Sequence, residues 1–131
     1  MLYNTFITTL GRVNDQVTLR QVPNAGLVVQ AHEFEAYKEA YPGNRVVALP
    51  PEITTLGPTR RWCLKHLAPI TGKLILLDDD LTISFRNVPG KYNLLVATPG
   101  QVEALFESVV LLLDDFAHVS VSGREGQNRM S

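Results

Sequence analysis

The segment KLILLDDDLTISFR, residues 73–86, joins an apolar run directly to three consecutive aspartates. The apolar residues predict a short strand of a parallel sheet, because strands covered on both faces are apolar along their whole length. Neighbouring carboxylates repel one another, so three of them at a strand end are expected to face a cation. A hard divalent ion such as Mg²⁺ or Mn²⁺ prefers oxygen ligands of this kind. The segment therefore predicts a strand that ends in a metal-binding turn.

Upstream of this segment, strand-like and helix-like patterns alternate. Three further apolar or β-branched stretches predict strands: NTFITTL (4–10), GLVVQA (26–31) and RVVAL (45–49). Three stretches predict helices: NDQVTLRQV (14–22) with Asn14 as its N-cap, HEFEAYKEAY (32–41), and PTRRWCLKHLA (58–68) opened by Pro58. This alternation is typical of βαβ units. We therefore expect an α/β fold with a mostly parallel sheet flanked by helices.

Downstream, the pattern is less regular. It predicts a strand in NLLVATPG (93–100), a helix in QVEALFESVVLLLDDF (101–116) and a last strand in HVSVS (118–122). Residues 123–131 are polar without an apolar anchor, which predicts a loop, so we place the folded domain at residues 1–122. A chain end within a polar run also predicts a fragment that is truncated before its next element.

Composition narrows the class of protein. A chain of 131 residues with 45% hydrophobic and 19% charged residues suits one globular domain. The formal net charge of -1 provides no global basic field for nucleic acid. The single cysteine, Cys63, excludes an intrachain disulfide and fits a reducing compartment such as the cytoplasm. The longest apolar runs are too short to span a bilayer, so no membrane partner is expected.

Two predicted strand ends carry the candidate ligand-binding residues. In open α/β sheets, ligands bind at the carboxyl ends of the strands, where the strand order reverses. TLGR (9–12) follows the first strand and DDD (78–80) follows the fourth. If these strands are neighbours, Gly11 allows the backbone to approach a ligand and Arg12 supplies a fixed positive charge. An arginine and a metal in one crevice suit a diphosphate.

Four blocks of this sequence, in this order, resemble a known enzyme family. They are TTLGRVNDQVTLRQVP (8–23), VVQAHEFEAYKEAYPGNRVVALP (28–50), GPTRRWCLKHLA (57–68) and LILLDDDLTISFR (74–86). Together they resemble the nucleotide-sugar-binding half of GT-A-type glycosyltransferases, with a Rossmann-like fold, and more narrowly the phage and TET-associated glycosyltransferases of modified DNA. HVSVSGREGQNR (118–129) is similar to a middle segment of such enzymes. The resemblance implies a nucleotide sugar, such as a UDP-sugar, as donor, Mn²⁺ or Mg²⁺ as cofactor, and a hydroxymethylated pyrimidine in DNA as acceptor.

The resemblance also implies roles for single residues. Asp78 and Asp80 match the outer positions of the metal-binding DxD motif, with Asp80 as the direct ligand and Asp78 nearer the ribose, while Asp79 is structural. Thr9 and Arg12 match the nucleotide-contacting end of the first strand, beside Gly11.

Three more residues match positions further along. Glu33 follows the second strand, where a base or ribose contact is usual. Arg60 matches an arginine that faces the diphosphate or the DxD carboxylates, and Arg86 is a further candidate. A catalytic base is not identified, and the acceptor contacts are expected from the missing half.

Other interpretations remain open. The three aspartates also fit a solvated turn. An apolar strand before D-x-D-x-T fits haloacid-dehalogenase-type phosphatases, with Asp78 as nucleophile and Asp80 as acid/base, but only 15 residues separate Thr98 from Asp114, too few for the rest of that site. A non-catalytic nucleotide-binding module is the third possibility. Trp62 and Cys63 are expected to pack in the core.

Overall fold

The computed structural model describes residues 3–67, 73–86 and 94–112. Four strands form one parallel sheet: β1 (Asn4–Thr8), β2 (Gly26–Val29), β3 (Val46–Ala48) and β4 (Leu74–Asp78). Their order is β3-β2-β1-β4, so β1 lies between β2 and β4. The predicted α/β class is confirmed, and the fold is Rossmann-like. The first and fourth strands are adjacent, with Thr8 opposite Asp78 in the register.

Within the described residues, three α-helices accompany the strands: α1 (Phe34–Ala40), α2 (Leu56–His66) and α3 (Pro99–Leu112). α1 connects β2 to β3, and α2 lies between β3 and β4 in the chain. None of the helices in the described ranges is long and apolar enough to cross a bilayer.

The two faces of the sheet bury different clusters, because successive residues of a strand point to opposite sides. On β1, Phe6 packs in a cluster with Cys63 and Leu67 of the α2 region, whereas Ile7 packs in a cluster with Tyr37 of α1. A third cluster joins Val102 and Phe106 of α3 to Ile75 and Leu77 of β4. The helix α2 therefore covers one face, and α1 and α3 cover the other. The predicted burial of Cys63 is confirmed, and Trp62 packs against its cluster.

Gly26 shows how closely β1 and β2 approach at their register. It lies opposite Phe6, and a Cβ atom on Gly26 would lie 2.4 Å from Cε1 of the Phe6 ring. Any larger residue would force this buried ring to move, since a packed core has little spare volume.

The predicted helix at residues 14–22 is wrong. Only a 3₁₀ turn, Thr18–Arg20, forms there, and Val17 rather than Asn14 is its N-cap. The main-chain N–H groups of Val17 and Thr18 donate to the carbonyl of Asp79, at 3.0 and 3.1 Å. A long-range contact thus satisfies the donors at the start of this turn, and no α-helical ladder develops.

The other helices start near their predicted positions. A second 3₁₀ turn, Ala31–Glu33, precedes α1. The helix α2 starts at Leu56, two residues before Pro58, which is tolerated because the first turn of a helix needs no N–H acceptor.

A second, two-stranded sheet follows the parallel one. β5 (Ser84–Arg86) pairs antiparallel with β6 (Leu94–Val96). The strand predicted in residues 93–100 is thus present, but it pairs with β5 outside the parallel sheet. Gln21 joins this sheet to the first 3₁₀ turn: its Nε2 donates to the carbonyls of Ile83 and Ala97, at 2.7 and 2.8 Å, and its Oε1 accepts from Ile83 N. The predicted strand 118–122, the domain end at residue 122 and the tail 123–131 lie outside the described residues.

Candidate functional site

A cleft of about 300 Å³ opens at the carboxyl ends of β1, β2 and β4. Thr8, Thr9 and Arg12 line it after β1, and Asp78, Asp79 and Asp80 line it after β4. The start of α2 and the residues before it complete the wall, with Thr54, Thr55, Leu56 and Thr59. Because the strand order reverses between β1 and β4, the cleft lies at the switch point where open α/β sheets bind their ligands.

The main chain of the aspartate turn is held by the first 3₁₀ turn. The Asp79 carbonyl accepts the two N–H groups of Val17 and Thr18 described above. Thr18 Oγ1 also donates to the Asp78 carbonyl and accepts from Leu81 N at 2.8 Å. These four bonds fix the backbone from residue 78 to residue 81, and so they fix the directions in which the three aspartate side chains leave it.

The three carboxylates occupy different environments. Asp79 is buried, and its Oδ2 accepts a hydrogen bond from Thr9 Oγ1 at 2.7 Å. The side chains of Asp78 and Asp80 are exposed and line the cleft. The middle aspartate is therefore tied to the protein, while the outer two carboxylates are open to a ligand.

Two arginines lie beside these carboxylates without being tightly bound to them. Arg12 Nη1 is 3.9 Å from Asp79 Oδ1, and Arg60 Nη2 is 3.7 Å from Asp78 Oδ1. About half of each arginine side chain is exposed. The Arg60–Asp78 pair is exposed on both sides, and such a pair stabilises a fold by at most about 1 kcal/mol. The Arg12 guanidinium is itself half exposed and lies at a long distance from Asp79, so both guanidinium groups can meet an incoming anion.

The donor set fits a divalent metal that is shared with a ligand. Within the described ranges, no cluster of three or more His, Cys, Asp or Glu side chains is placed to enclose a metal by itself. Mg²⁺ at phosphate sites is commonly held by one or two carboxylates together with substrate phosphates. The exposed carboxylates of Asp78 and Asp80 meet that requirement.

Gly11 and Glu33 form a loop contact at the margin of the cleft. Gly11 has a φ of 66°, in the left-handed region that favours glycine. Its N–H donates to both carboxylate oxygens of Glu33, at 3.1 and 2.9 Å. Glu33, predicted to contact a base or ribose, thus holds the main chain of the loop that follows β1.

Thr9 lies at the centre of a buried hydrogen-bond network that sequence reasoning missed. Besides its bond to Asp79, Thr9 Oγ1 lies 2.9 Å from the Tyr37 hydroxyl and 2.8 Å from Gln16 Nε2. Tyr37 fits the apolar spacing of α1, and Gln16 lies within the stretch wrongly predicted as helix. Their polar roles depend on residues distant in sequence, so no local signal identifies them.

The structure therefore brings most of the sequence-predicted residues together. One cleft is lined by Thr9, Arg12, Asp78 and Asp80. Arg60 lies beside this cleft, where it forms the ion pair with Asp78. Gly11 and Glu33 support its rim. Arg86 is the last residue of β5, in the second sheet.

Comparison with known proteins identifies the family. A family model described as TET-Associated Glycosyltransferase matches residues 3–130 of this chain. No curated protein and no solved structure matches it significantly. The match includes both strand ends that form the cleft, and it favours a glycosyltransferase over the phosphatase interpretation. Because the match covers nearly the whole sequence, the chain belongs to the TET-associated glycosyltransferase family.

Proposed function

We propose that this chain binds the nucleoside diphosphate of a nucleotide sugar in the cleft between β1 and β4, with Mn²⁺ or Mg²⁺ held by Asp78 and Asp80. The observation that carries the proposal is the separation of roles within the aspartate turn: one carboxylate is buried and bonded, and two are presented to the cleft beside arginines. We further propose a UDP-sugar as donor and a hydroxymethylated pyrimidine in DNA as acceptor, in line with the family.

The residues of the cleft suit the parts of such a donor. Arg12 lies beside Asp79 and Arg60 lies beside Asp78, so both would supply positive charge to a diphosphate bound at the aspartate turn. A bound metal would neutralise the negative charge that develops on the leaving diphosphate. Thr54 and Thr55 contribute a polar, uncharged wall, and the Thr55 side chain makes no capping bond to α2. Such hydroxyls suit the hydroxyl groups of ribose or sugar.

The test is a calorimetric titration with UDP in the presence of Mn²⁺ and, separately, of EDTA. We expect the wild-type chain to bind UDP only with the metal. Asp80→Asn should weaken metal-dependent binding by at least about tenfold, because it removes a ligand charge. It should leave the fold intact, since it also relieves repulsion between neighbouring carboxylates.

The controls separate the competing functions. Asp15→Asn changes an exposed carboxylate that does not line the cleft, and it should bind as the wild type does. Metal-independent binding would indicate a non-catalytic nucleotide module. Hydrolysis of p-nitrophenyl phosphate that is abolished by Asp78→Asn would indicate a phosphatase. Unchanged binding by Asp80→Asn would contradict the proposed metal site.

A further inference from the structure

The buried network around Thr9 has a direction that is fixed by its supply of hydrogens. The Thr9 hydroxyl carries one hydrogen, which it donates to Asp79 Oδ2. Its oxygen must therefore accept from both Gln16 Nε2 and the Tyr37 hydroxyl. One donated and two accepted bonds exhaust the hydrogen-bonding capacity of a hydroxyl. The Thr9 side chain, predicted as a nucleotide contact, is thus fully occupied within the protein.

The same network holds the main chain of Arg12 from both sides. The Tyr37 hydroxyl, which donates to Thr9, accepts from Arg12 N at 3.0 Å. The second N–H of Gln16 Nε2 donates to the Arg12 carbonyl at 2.9 Å. Tyr37 is wholly buried, and Gln16 is 8% exposed, so water does not readily replace these bonds. The network therefore connects the two walls of the cleft, Arg12 after β1 and Asp79 after β4.

Gln16 provides an independent sign that this connection matters. Its Oε1 is buried without a hydrogen-bond partner in the described part of the chain. An unsatisfied buried acceptor is destabilising, and an apolar residue would avoid it. Reversing the amide would be unfavourable, because Oε1 and the Arg12 carbonyl, which are both acceptors, would then face each other. The two donors of Gln16, by contrast, both have partners in the network.

We propose that Tyr37 and Gln16 are positioning residues of the nucleotide cleft, which act through Thr9 and Asp79 to set the separation between Arg12 and the aspartate turn. The inference rests on the proposed function, because its ligand is the metal–diphosphate that spans these two walls. A site that grips a ligand from both sides loses affinity when one wall shifts, even if every contacting residue is present.

Tyr41 offers a matched control on the same helix end. Its ring stacks on Tyr37 with centroids 6.4 Å apart, and its hydroxyl donates to the carbonyl of Val13. Tyr41→Phe thus removes one partly buried tyrosine hydroxyl from the same cluster without touching Thr9, Gln16 or Asp79. Thr9 offers a second comparison, since Thr9→Val removes the hydroxyl at nearly constant shape and Thr9→Ser retains it.

The experiment measures the apparent affinity for Mn²⁺ at saturating UDP, together with the melting temperature, for each variant. Tyr37→Phe and Thr9→Val should weaken Mn²⁺ binding by at least about fivefold, as the loss of a buried hydrogen bond predicts. Thr9→Ser should restore affinity to within about twofold of the wild type on the same grounds. Tyr41→Phe should lower the melting temperature but leave the affinity for Mn²⁺ unchanged.

The outcomes distinguish this inference from the proposed function. A wild-type chain that binds no UDP with Mn²⁺ would overturn both. Wild-type binding of UDP with Mn²⁺, together with equal affinities for Mn²⁺ in Tyr37→Phe and Tyr41→Phe, would overturn the positioning role alone. If Thr9→Val fails to fold, Gln16→Met takes its place, because it removes both Gln16 donors at nearly constant shape. Wild-type affinity in Gln16→Met and Tyr37→Phe would equally overturn it.

Discussion

At the scale of single residues, the buried Cys63 thiol should make the fold less stable at alkaline pH. Desolvation raises the pKa of Cys63 from 9.0 to about 11. Between about pH 9 and 11 the unfolded chain releases this proton while the folded chain retains it. The contribution of the neutral Cys63 thiol to the free energy of unfolding is therefore complete below pH 9 and is lost as pH rises toward the pKa of the folded state.

We expect the urea midpoint of the wild type to fall between pH 8 and pH 10.5 by more than that of Cys63→Ala. Burial also raises the pKa of Tyr3 and of Tyr41, with smaller contributions from Glu103 and Glu107 and from Tyr37 respectively. Both proteins contain these tyrosines, so the difference between them isolates the thiol. A stability difference that is independent of pH would contradict the assignment.

The role of a residue could be predicted where it depends on neighbours in sequence, but not where it depends on a distant contact. The order apolar strand, then three aspartates, predicts carboxylates at a ligand-binding strand end, and the resemblance to the DxD motif distinguishes Asp78 and Asp80 from Asp79. Tyr37, by contrast, shows only the apolar spacing of a helix face in the sequence. Its hydroxyl contacts Thr9, 28 residues away, which no neighbouring residue reveals.

At the scale of elements, α2 and α3 start in different ways. Thr98 N donates to Gln101 Oε1 at 2.9 Å, and Gln101 N donates to Thr98 Oγ1 at 3.2 Å. This reciprocal pair is a capping box, and Pro99 occupies the first helical position. Thr55, the N-cap of α2, makes no side-chain capping bond.

The contrast predicts unequal effects of the same substitution. Thr98→Ala should lower the free energy of unfolding by about 1 kcal/mol, the usual contribution of an N-cap side chain. Thr55→Ala should lower it by less than about 0.5 kcal/mol, as is usual for exposed sites without such a bond. Urea denaturation of both variants provides the measurement, and equal losses would show that the capping box contributes nothing.

The predicted elements failed where distant partners compete with local preference. The four parallel strands carry apolar and β-branched runs, and each forms near its predicted position. Residues 14–22 have helix-like spacing, but Val17 and Thr18 bond to Asp79, about 60 residues away. The second sheet depends on Gln21, whose amide bonds to the main chain of Ile83, 62 residues away. Such contacts follow from the tertiary fold and not from local periodicity.

At the scale of the whole molecule, the balance of charge limits the affinity of this chain for DNA. Its 12 Lys and Arg are outnumbered by 13 Asp and Glu. Affinity for a duplex grows with the number of phosphates that cations neutralise. We therefore expect residues 1–131 to bind DNA no more tightly than about 10⁻⁴ to 10⁻⁶ M at physiological salt, the range of non-specific binding.

Fluorescence anisotropy with a duplex that contains hydroxymethylcytosine, at 50 and 150 mM salt, measures this affinity. Binding of UDP with Mn²⁺ in the same sample would show that the protein is competent. Tight and strongly salt-dependent DNA binding would contradict the expectation drawn from the charge balance. At this scale, the alternation of strands and helices in the sequence predicts the parallel sheet and its switch point.

The pairing of β1 with β4 also imposes an order in time. As the ribosome extends the chain, β1, β2 and β3 can assemble with α1 before the aspartates have been synthesised. The contact of Thr9 with Asp79 must close a loop of about 70 residues, and the entropy of such a closure delays it relative to local pairing. A ligand that contacts both strand ends would hold the two ends of that loop together. The site is thus the last part of the sheet to be completed during synthesis, and ligand binding should slow its reopening most.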